Sequence, residues 1–412
     1  MTRRNPPLRR GLTTLMAVLV ITMLFVTAAL AYSIFATRDS YIDLRIASHA
    51  GSLAAVGTLA HDDLLTNNRT RVLSRIAKAR SSAVQVAEAN QLNGLFVSMA
   101  PLDLTNDPAG NLVFGNLDRE INGTFTPFFP LATAPFPGGD SAYLNAVRID
   151  VAHPRRPGVR VRMYAHSDHD IVGFKPTNAR NAPVVPIALF TDIVHVIPSA
   201  NSLEAALAAP TVDTAQFNYT TGVFEALPVP PPADGIGEIK FEYGLPSGDP
   251  TAISTRLLAI GASNWFDADS QVADGISLDD LSDDPFTDKQ FVLSGPSPSL
   301  NVPEITIPPS TPAQFAGAFD PIIAPKPAIP RVFPLYSGLD PITDEPIIVG
   351  FIAARVVSVV YDDDRATVTI QPTMISTPLA VTNPVATVPP DTVPFNPYIG
   401  KLRIAANVTE TP

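Results

Sequence analysis

An uncharged stretch near the beginning of the chain decides its architecture: LTTLMAVLVITMLFVTAALAYSIF, from Leu12 to Phe35. A helix needs about 20 such residues to cross a hydrocarbon core of ~30 Å, so these 24 residues are enough to span a bilayer. The hydroxyl groups of its threonines can bond back to the carbonyl four residues earlier, which leaves no donor bare in lipid. The stretch therefore predicts a transmembrane helix over residues 12–35 that contacts the lipid bilayer.

The distribution of positive charge predicts how this helix is oriented. Four arginines precede the stretch (Arg3, Arg4, Arg9 and Arg10), and only Arg38 follows it directly. The positive-inside bias makes residues 1–11 a cytoplasmic basic tail and places the body on the extracytoplasmic side of the membrane. A cleaved signal peptide is the alternative, because Ala29-Leu30-Ala31 resembles an A-x-A cleavage site. The apolar run exceeds a signal h-region and continues into helical sequence, which favours a retained anchor; both interpretations export the body.

The composition of the 412 residues predicts a folded body rich in strands. Only 16% of residues are charged and 46% are hydrophobic, which is apolar enough for a core. The 43 prolines are twice the ordinary share, and proline breaks helix interiors. Residues 81–412 carry a net charge of −18, which disfavours nucleic acid as a partner. The predicted fold class is α+β: a transmembrane helix continuing into a juxtamembrane helix, then a mainly β body with proline-rich connections.

A juxtamembrane helical region is predicted over residues 36–92. No proline occurs between Pro7 and Pro101. Apolar residues recur at helical spacing as far as residue 66, and a second helix is predicted over 69–89, with 64–68 as the turn between them. The predicted apolar positions are Ile42, Ile46, Leu53, Val56, Leu59 and Ala60 in the first helix and Val72, Ile76, Ala79, Ala83 and Val86 in the second.

The sequence after residue 92 is predicted to contain a first β-rich region (93–228), a second β-rich region (229–377) and a proline-rich C-terminal tail (378–412). Alternating polarity predicts one hairpin from 145–151 and 158–164 and another from 347–361 and 366–372. Alternation also predicts a strand over 238–243. Residues 181–196 fit either an edge strand or an irregular buried connection, and the proline-dense stretch 296–334 is expected to be extended.

Two groups of residues have the composition of metal sites. His166 and His169 form an HSDH sequence, but zinc needs three or four converging ligands and the other histidines are scattered, so a polar loop is the favoured interpretation. Asp267, Asp269 and Asp274 could supply oxygens to calcium, but the EF-hand register fails at Val272 and Leu278, so a solvated acidic loop is the favoured interpretation. Trp265, beside these aspartates, is either a sugar platform or a core residue.

The chain carries no P-loop, nucleophile elbow or zinc-protease motif, and it has no cysteine. The sequence does not exclude a Ser–His–Asp triad, since the three residues of a triad can lie far apart in sequence. We expect no enzymatic activity, no cofactor and no small-molecule substrate. An exported calcium- or carbohydrate-binding adhesion module and an exported hydrolase using His166 or His169 are the alternative hypotheses.

Several short segments resemble the TadE/TadG-like proteins of bacterial tight-adherence (Flp) pilus systems. At the N-terminus these are Arg9-Arg10-Gly11 before the apolar run and the alanine-rich IASHAGSLAA of residues 46–55. Later segments are similar to planctomycete TadG-like proteins: NAVR (145–148), NAPVVPIALF (181–190), PRVFPLY (330–336), IIVGF (347–351), RVV (355–357) and IQP (370–372). The resemblance implies a membrane-anchored structural component of pilus assembly, with other pilus-assembly proteins as partners.

The chain departs from this family at two points. It has no Asp-x-Ser-x-Ser motif, so the metal-dependent adhesion site of von Willebrand A domains is not implied. Pilin-type members are cut after a glycine with a glutamate five residues on, whereas Met16 stands five residues after Gly11 here. An uncut anchor is therefore expected.

Overall fold

The computed structural model of the chain describes only part of the sequence. The described residues are 8–66, 69–90, 106–117, 120–121, 124–125, 128–130, 144–154, 156–185, 187–190, 215–218, 223–226, 239–244, 257–259, 272–278, 291–294, 299–300, 317, 319–323, 328–339, 346–361, 365–382, 396, 398–405 and 408.

Two long helices form the first layer. Helix α1 (Leu8–Leu59) contains 52 residues without a break, so the predicted transmembrane and juxtamembrane helices are one helix. A short 3-10 helix, η1 (Asp62–Thr66), replaces the predicted end of the first helix and most of the predicted turn. Helix α2 (Arg69–Ala89) has the predicted bounds and packs along α1. The α+β class, with an N-terminal apolar helix and a mostly β body, is confirmed.

The body is built from short strands. In chain order they are β1 (Leu112–Leu117), β2 (Glu120–Ile121), β3 (Thr124–Phe125), β4 (Phe128–Pro130), β5 (Ala146–His153), β6 (Arg156–Asp168), β7 (Ile171–Phe174), β8 (Ile187–Phe190), β9 (Ala215–Asn218), β10 (Val223–Ala226), β11 (Ile239–Gly244), β12 (Leu257–Ala259), β13 (Phe291–Ser294), β14 (Ser299–Leu300), β15 (Arg331–Leu339), β16 (Pro346–Tyr361), β17 (Arg365–Pro372), β18 (Ile375–Ser376), β19 (Ala380–Thr382) and β20 (Ile399–Ala405). Helix α3 (Asp320–Ile323) interrupts the stretch 296–334, so the expectation that this stretch is extended throughout is wrong.

Three larger sheets contain most of the described strands, and the pairs β9–β10 and β2–β3 form two-stranded sheets. The first sheet has the order β18-β20-β6-β5-β1-β4, the second β11-β17-β16-β15-β8-β12, and the third β14-β13-β7-β19. Both predicted hairpins are confirmed: β5 pairs with β6, and β16 pairs with β17, in each case antiparallel. Strand β8 lies between β15 and β12, so it is not an edge strand, whereas Ala182, Val184 and Val185 before it form a buried connection.

The sheets draw on widely separated parts of the sequence. The second sheet joins β8 from the first predicted β-rich region to β15 from the second, through a parallel pairing. Strand β20, from the predicted C-terminal tail, completes the first sheet against β6, and β19 pairs with β7 in the third. The predicted regions are therefore ranges of sequence that interleave in space.

Helix α1 lies on one face of the first sheet. Val147, Ile149 and Val151 of β5 and Val161 and Ala165 of β6 share a hydrophobic core with the helix. Residues of the opposite face, including Ala146 and Tyr164, belong to a separate small cluster. This alternation is the one predicted for the hairpin, and it fixes which face the helix covers.

Candidate functional site

The candidate site is the junction at which α1 passes from an exposed apolar segment into the body. Among the described residues, α1 is the one helix long and apolar enough to cross a membrane. Large apolar side chains in its first part are exposed; Phe25, for example, is 73% exposed and Tyr32 is 76% exposed. Burial begins at Ser40, which is only 3% exposed. A soluble surface rarely leaves so many adjacent apolar side chains uncovered, so this segment has the character of a lipid-facing helix.

The hydroxyl groups of the exposed segment bond within the helix. Thr22 donates to the carbonyl of Val18 and Thr27 to that of Met23, each at 2.8 Å. These are the bonds expected from the sequence. These hydrogen bonds give each threonine hydroxyl a partner in the absence of water, as a hydrocarbon environment requires.

Small side chains dock the second part of α1 onto the body. The buried positions recur every three or four residues: Ser40, Leu44, Ala47, Ser48, Gly51, Ser52, Ala55, Val56 and Leu59. Because most of them are small, the helix backbone can approach the first sheet closely, and a Cβ on Gly57 would lie 3.3 Å from the Leu402 side chain. The Ser48 hydroxyl donates to the Leu44 carbonyl at 2.7 Å, so its burial costs no unpaired donor.

This buried face differs in part from the predicted one. Val56 and Leu59 are buried and Leu53 packs against the core, as expected. Ile42 and Ile46, which were assigned to the same apolar face, are 45% and 53% exposed. The sheet packs against the small-residue face instead, since large side chains there would hold the helix away.

Asp62, at the start of η1, ties the end of the helix to the second sheet. Its carboxylate accepts hydrogen bonds from Arg355 Nη1 at 2.5 Å, from the Thr373 hydroxyl at 2.6 Å and from the Met374 amide at 2.8 Å. Burial, the largest single influence, opposes ionisation, but the bonds from Thr373, Met374 and Arg355 outweigh it and hold the pKa of Asp62 below its ordinary value. The turn after α1 is therefore fixed to β16 and to the residues that follow β17.

Arg80 is a second connection, from α2 to β1. Its side chain is 2% exposed, and its guanidinium donates to the Leu112 carbonyl at 3.0 Å and to Asn106 Oδ1 at 2.9 Å. The same group lies over the Phe114 ring, 5.1 Å from its centroid. Asn106, with a φ of 55°, in turn exchanges two hydrogen bonds with the Phe114 backbone. One buried cation thus organises the first residues of the sheet around the second helix.

His166, Ser167 and His169 of the HSDH sequence are buried, which contradicts its interpretation as a polar loop. His166, Ser167 and Asp168 belong to β6, and His169 follows directly; both histidines are 4% exposed. The His169 Nδ1 lies 2.8 Å from the Asn396 carbonyl and 3.0 Å from the Ile399 carbonyl. Since both neighbours are acceptors, we assign the proton to Nδ1. His169 therefore attaches the segment before β20 to the end of β6.

His166 faces β20 from the adjacent strand, opposite Arg403 in the register. Burial lowers the pKa of His166 to about 4, an effect that Arg403 and His169 reinforce and Asp168 opposes. Burial likewise lowers the pKa of His169. Both imidazoles are therefore neutral at physiological pH, as parts of the packed sheet.

A pH-dependent stability follows from these two histidines. Their pKa values are lower in the folded chain than in the unfolded chain, so the unfolded state binds more protons as the pH falls below 6.5 and the fold loses stability. For His166 the loss approaches about 3 kcal/mol as the pH reaches its folded pKa of about 4. We expect the melting temperature of the full-length protein in neutral detergent to fall between pH 6.5 and 5.

The substitution His166→Gln is expected to reduce that slope. The control is His61→Gln, which changes a side chain that is 44% exposed and should leave most of the slope in place. An unchanged slope in His166→Gln would show that this imidazole does not titrate as a buried group.

The structure describes one of the predicted calcium ligands. Asp274 is exposed, beside Gly275, whose φ of 86° lets its backbone approach the Ala182 carbonyl. Asp267, Asp269 and Trp265 lie outside the described residues. Within the described ranges, no group of three or more His, Asp or Glu side chains is arranged to hold a metal ion.

Sequence reasoning missed the two connections through Asp62 and Arg80. For Arg80 a signal existed, because Ile76, Arg80, Ala83 and Ala87 follow helical spacing and share the buried face. For Asp62 no local pattern points to Arg355 or Thr373, which approach it only through the fold.

Comparison with known proteins identifies no family for this chain: no protein-family model, no curated protein and no solved structure matches it.

Proposed function

We propose that the protein is a membrane-anchored, extracytoplasmic structural or assembly component of a bacterial tight-adherence pilus system. The N-terminus is placed in the cytoplasm, α1 crosses the inner membrane once, and the β-rich body lies outside. The arginines before the apolar run support this orientation, and the TadE/TadG-like segments support the assignment to pilus assembly.

The observation that carries the proposal is the continuity of α1. The same helix presents an exposed apolar surface up to Phe35 and a buried face from Ser40 to Leu59. A helix that continues without a break across this boundary couples the body rigidly to its anchor, whereas a flexible linker would let the body move independently. Rigid coupling suits a component that must hold its body at a fixed height above the bilayer.

The connections around α1 support a structural role. Asp62 and Arg80 each connect a helical element to a different sheet, and His169 attaches β6 to the segment before β20. These polar groups bond to backbone groups or to the side chains of Arg355, Thr373 and Asn106, as in a scaffold. We assign no catalytic role to them.

Association with other membrane helices is the second part of the proposal. Alanine and threonine are frequent in the exposed segment, as in the TAALA of residues 27–31. Small residues let helix backbones approach closely in lipid, where close packing drives association. We infer that this surface contacts the transmembrane helices of other assembly proteins.

A gene deletion tests the function. We expect the deletion strain to lose surface pili and surface attachment, and wild-type protein to restore both. A second variant places the body behind a cleavable signal peptide, so that the body is exported without its anchor. This variant should fail to complement the deletion, because the body would no longer be held at the membrane. Normal piliation in the deletion strain, or full rescue by the unanchored body, would refute the assignment. A location near genes for a pilus secretion ATPase and small pilins would support it.

A further inference from the structure

The tip of the β5–β6 hairpin lies beside the point where α1 leaves the proposed membrane span. A groove of about 590 Å³ separates them, lined on the helix side by Ile34, Thr37, Arg38 and Tyr41 and on the hairpin side by Val159 and Arg160. Helix and hairpin therefore form the two walls of one groove.

The height of this groove matches the level of lipid headgroups. The apolar run ends at Phe35, and each helical residue rises 1.5 Å, so Tyr41 lies about 9 Å beyond that end. The headgroup layer occupies roughly 5–8 Å on each side of the hydrocarbon core. Ile34 is thus at the edge of the hydrocarbon, while Thr37 and Arg38 are at the level of the phosphates.

The charges around the groove favour an anionic ligand. Arg38 is exposed, and Arg160 is 60% exposed although one of its nitrogens lies 3.1 Å from Asp150. Asp150 also pairs with Arg162, so one carboxylate is shared by two guanidinium groups. Asp39 and Asp43 on the helix oppose the positive charge in part, but neither lines the groove. A positive groove is unusual in a body whose net charge is −18, counted over residues 81–412.

We propose that this groove binds an anionic phospholipid, with its phosphate between Arg38 and Arg160 and the start of its acyl chain along Ile34 and Val159. Arginine suits this role, because its planar guanidinium recognises phosphate oxygens in pairs. Tyr41, 45% exposed, begins just outside the headgroup layer, and its side chain is of the amphipathic type that membrane interfaces favour. The bound lipid would fix the body against the bilayer surface. The site rests on the proposed function, since α1 must span the membrane to bring lipid to it.

Lipid binding to the full-length protein in neutral detergent tests the site. We expect native mass spectrometry to detect retained phosphatidylglycerol in clear preference to phosphatidylcholine of the same chain length. Each basic residue near an anionic surface contributes about a fivefold change in affinity, so Arg38→Gln with Arg160→Gln is expected to reduce phosphatidylglycerol binding by about 25-fold. Inorganic phosphate, which lacks the acyl chains, is expected to compete only weakly.

The matched control removes two positive charges outside the groove, Lys175→Gln with Arg180→Gln, both exposed. It is expected to keep the lipid preference. Four results would each overturn the lipid site. The wild type could retain both lipids equally, or phosphate could compete strongly for binding. The groove variant could keep the wild-type preference, or the control variant could lose lipid to the same extent as the groove variant. Carbonate extraction of membranes, done in parallel, separates the anchor proposal from the lipid-site proposal. If the protein stays in membranes but does not prefer phosphatidylglycerol, the lipid site alone is refuted. If the protein is absent from membranes, both the anchor and the lipid site are refuted.

Discussion

Arginine at positions 18 and 26 is expected to remove the protein from the membrane fraction. Val18 and Val26 lie within the apolar run of α1 and are 58% and 63% exposed. A charged side chain near the middle of a spanning helix costs about 2.5–3.5 kcal/mol on insertion scales. Val18 lies farther from the centre than Val26, so we expect the double substitution Val18→Arg with Val26→Arg to cost about 5 kcal/mol. Fractionation with carbonate extraction measures the outcome.

A matched control places the same change on the body. Val357 and Val360 of β16 are 41% and 65% exposed, so arginine at these two positions adds equal charge to an exposed surface. That variant is expected to stay in the membrane. The anchor would be refuted if the helix variant resisted extraction as the wild type does. An intact mass that includes residues 1–31 would in addition exclude cleavage after Ala31.

The local parts of the fold are those that the sequence predicts well. Helix α2 has its predicted bounds, because a proline-free stretch with apolar residues at helical spacing has few alternatives. The β5–β6 and β16–β17 hairpins were predictable for a similar reason, since alternation and a turn specify both strands and their pairing.

Pairings between distant segments could not be predicted in this way. Nothing near β8 indicates its parallel pairing with β15, and nothing near β20 indicates that it completes the first sheet. The HSDH sequence shows the consequence. Its residues are polar and look like a loop, but β20 covers His166 and the residues before it cover His169.

The two parts of α1 were predictable in part. Length and lack of charge identified the segment that is long and apolar enough to span a membrane, and the absence of proline indicated that the helix continues. The buried face was predicted correctly at Val56 and Leu59 but not at Ile42 and Ile46, where large apolar side chains are exposed. Gly51, Ser52 and Ala55 face the body, since close approach of the helix matters more there than the area of each side chain.

Replacement of Arg80 by alanine is expected to destabilise the body more than other single substitutions in α2. The change removes a fully buried side chain, leaves the Leu112 carbonyl and Asn106 Oδ1 without its hydrogen bonds, and uncovers the Phe114 ring. Loss of a large buried side chain typically costs about 3–5 kcal/mol, and a buried acceptor left without its donor costs about 1–3 kcal/mol more. At about 2–4 °C per kcal/mol for a domain of this size, we expect the melting temperature of the full-length protein in detergent to fall by about 10 °C.

Two further variants separate the causes. Lys78→Ala changes an exposed cation on the same helix and is expected to alter stability by less than about 0.5 kcal/mol. Arg80→Met retains an unbranched side chain of similar length and loses only the polar contacts. Its melting temperature should therefore lie between those of Arg80→Ala and Lys78→Ala. If Arg80→Ala melted as Lys78→Ala does, the guanidinium would not organise β1, and α2 would be held by its buried apolar face, which includes Val72, Ile76 and Ala83. If Arg80→Met matched the wild type, the contribution of Arg80 would come from the packing of its stem and not from its hydrogen bonds.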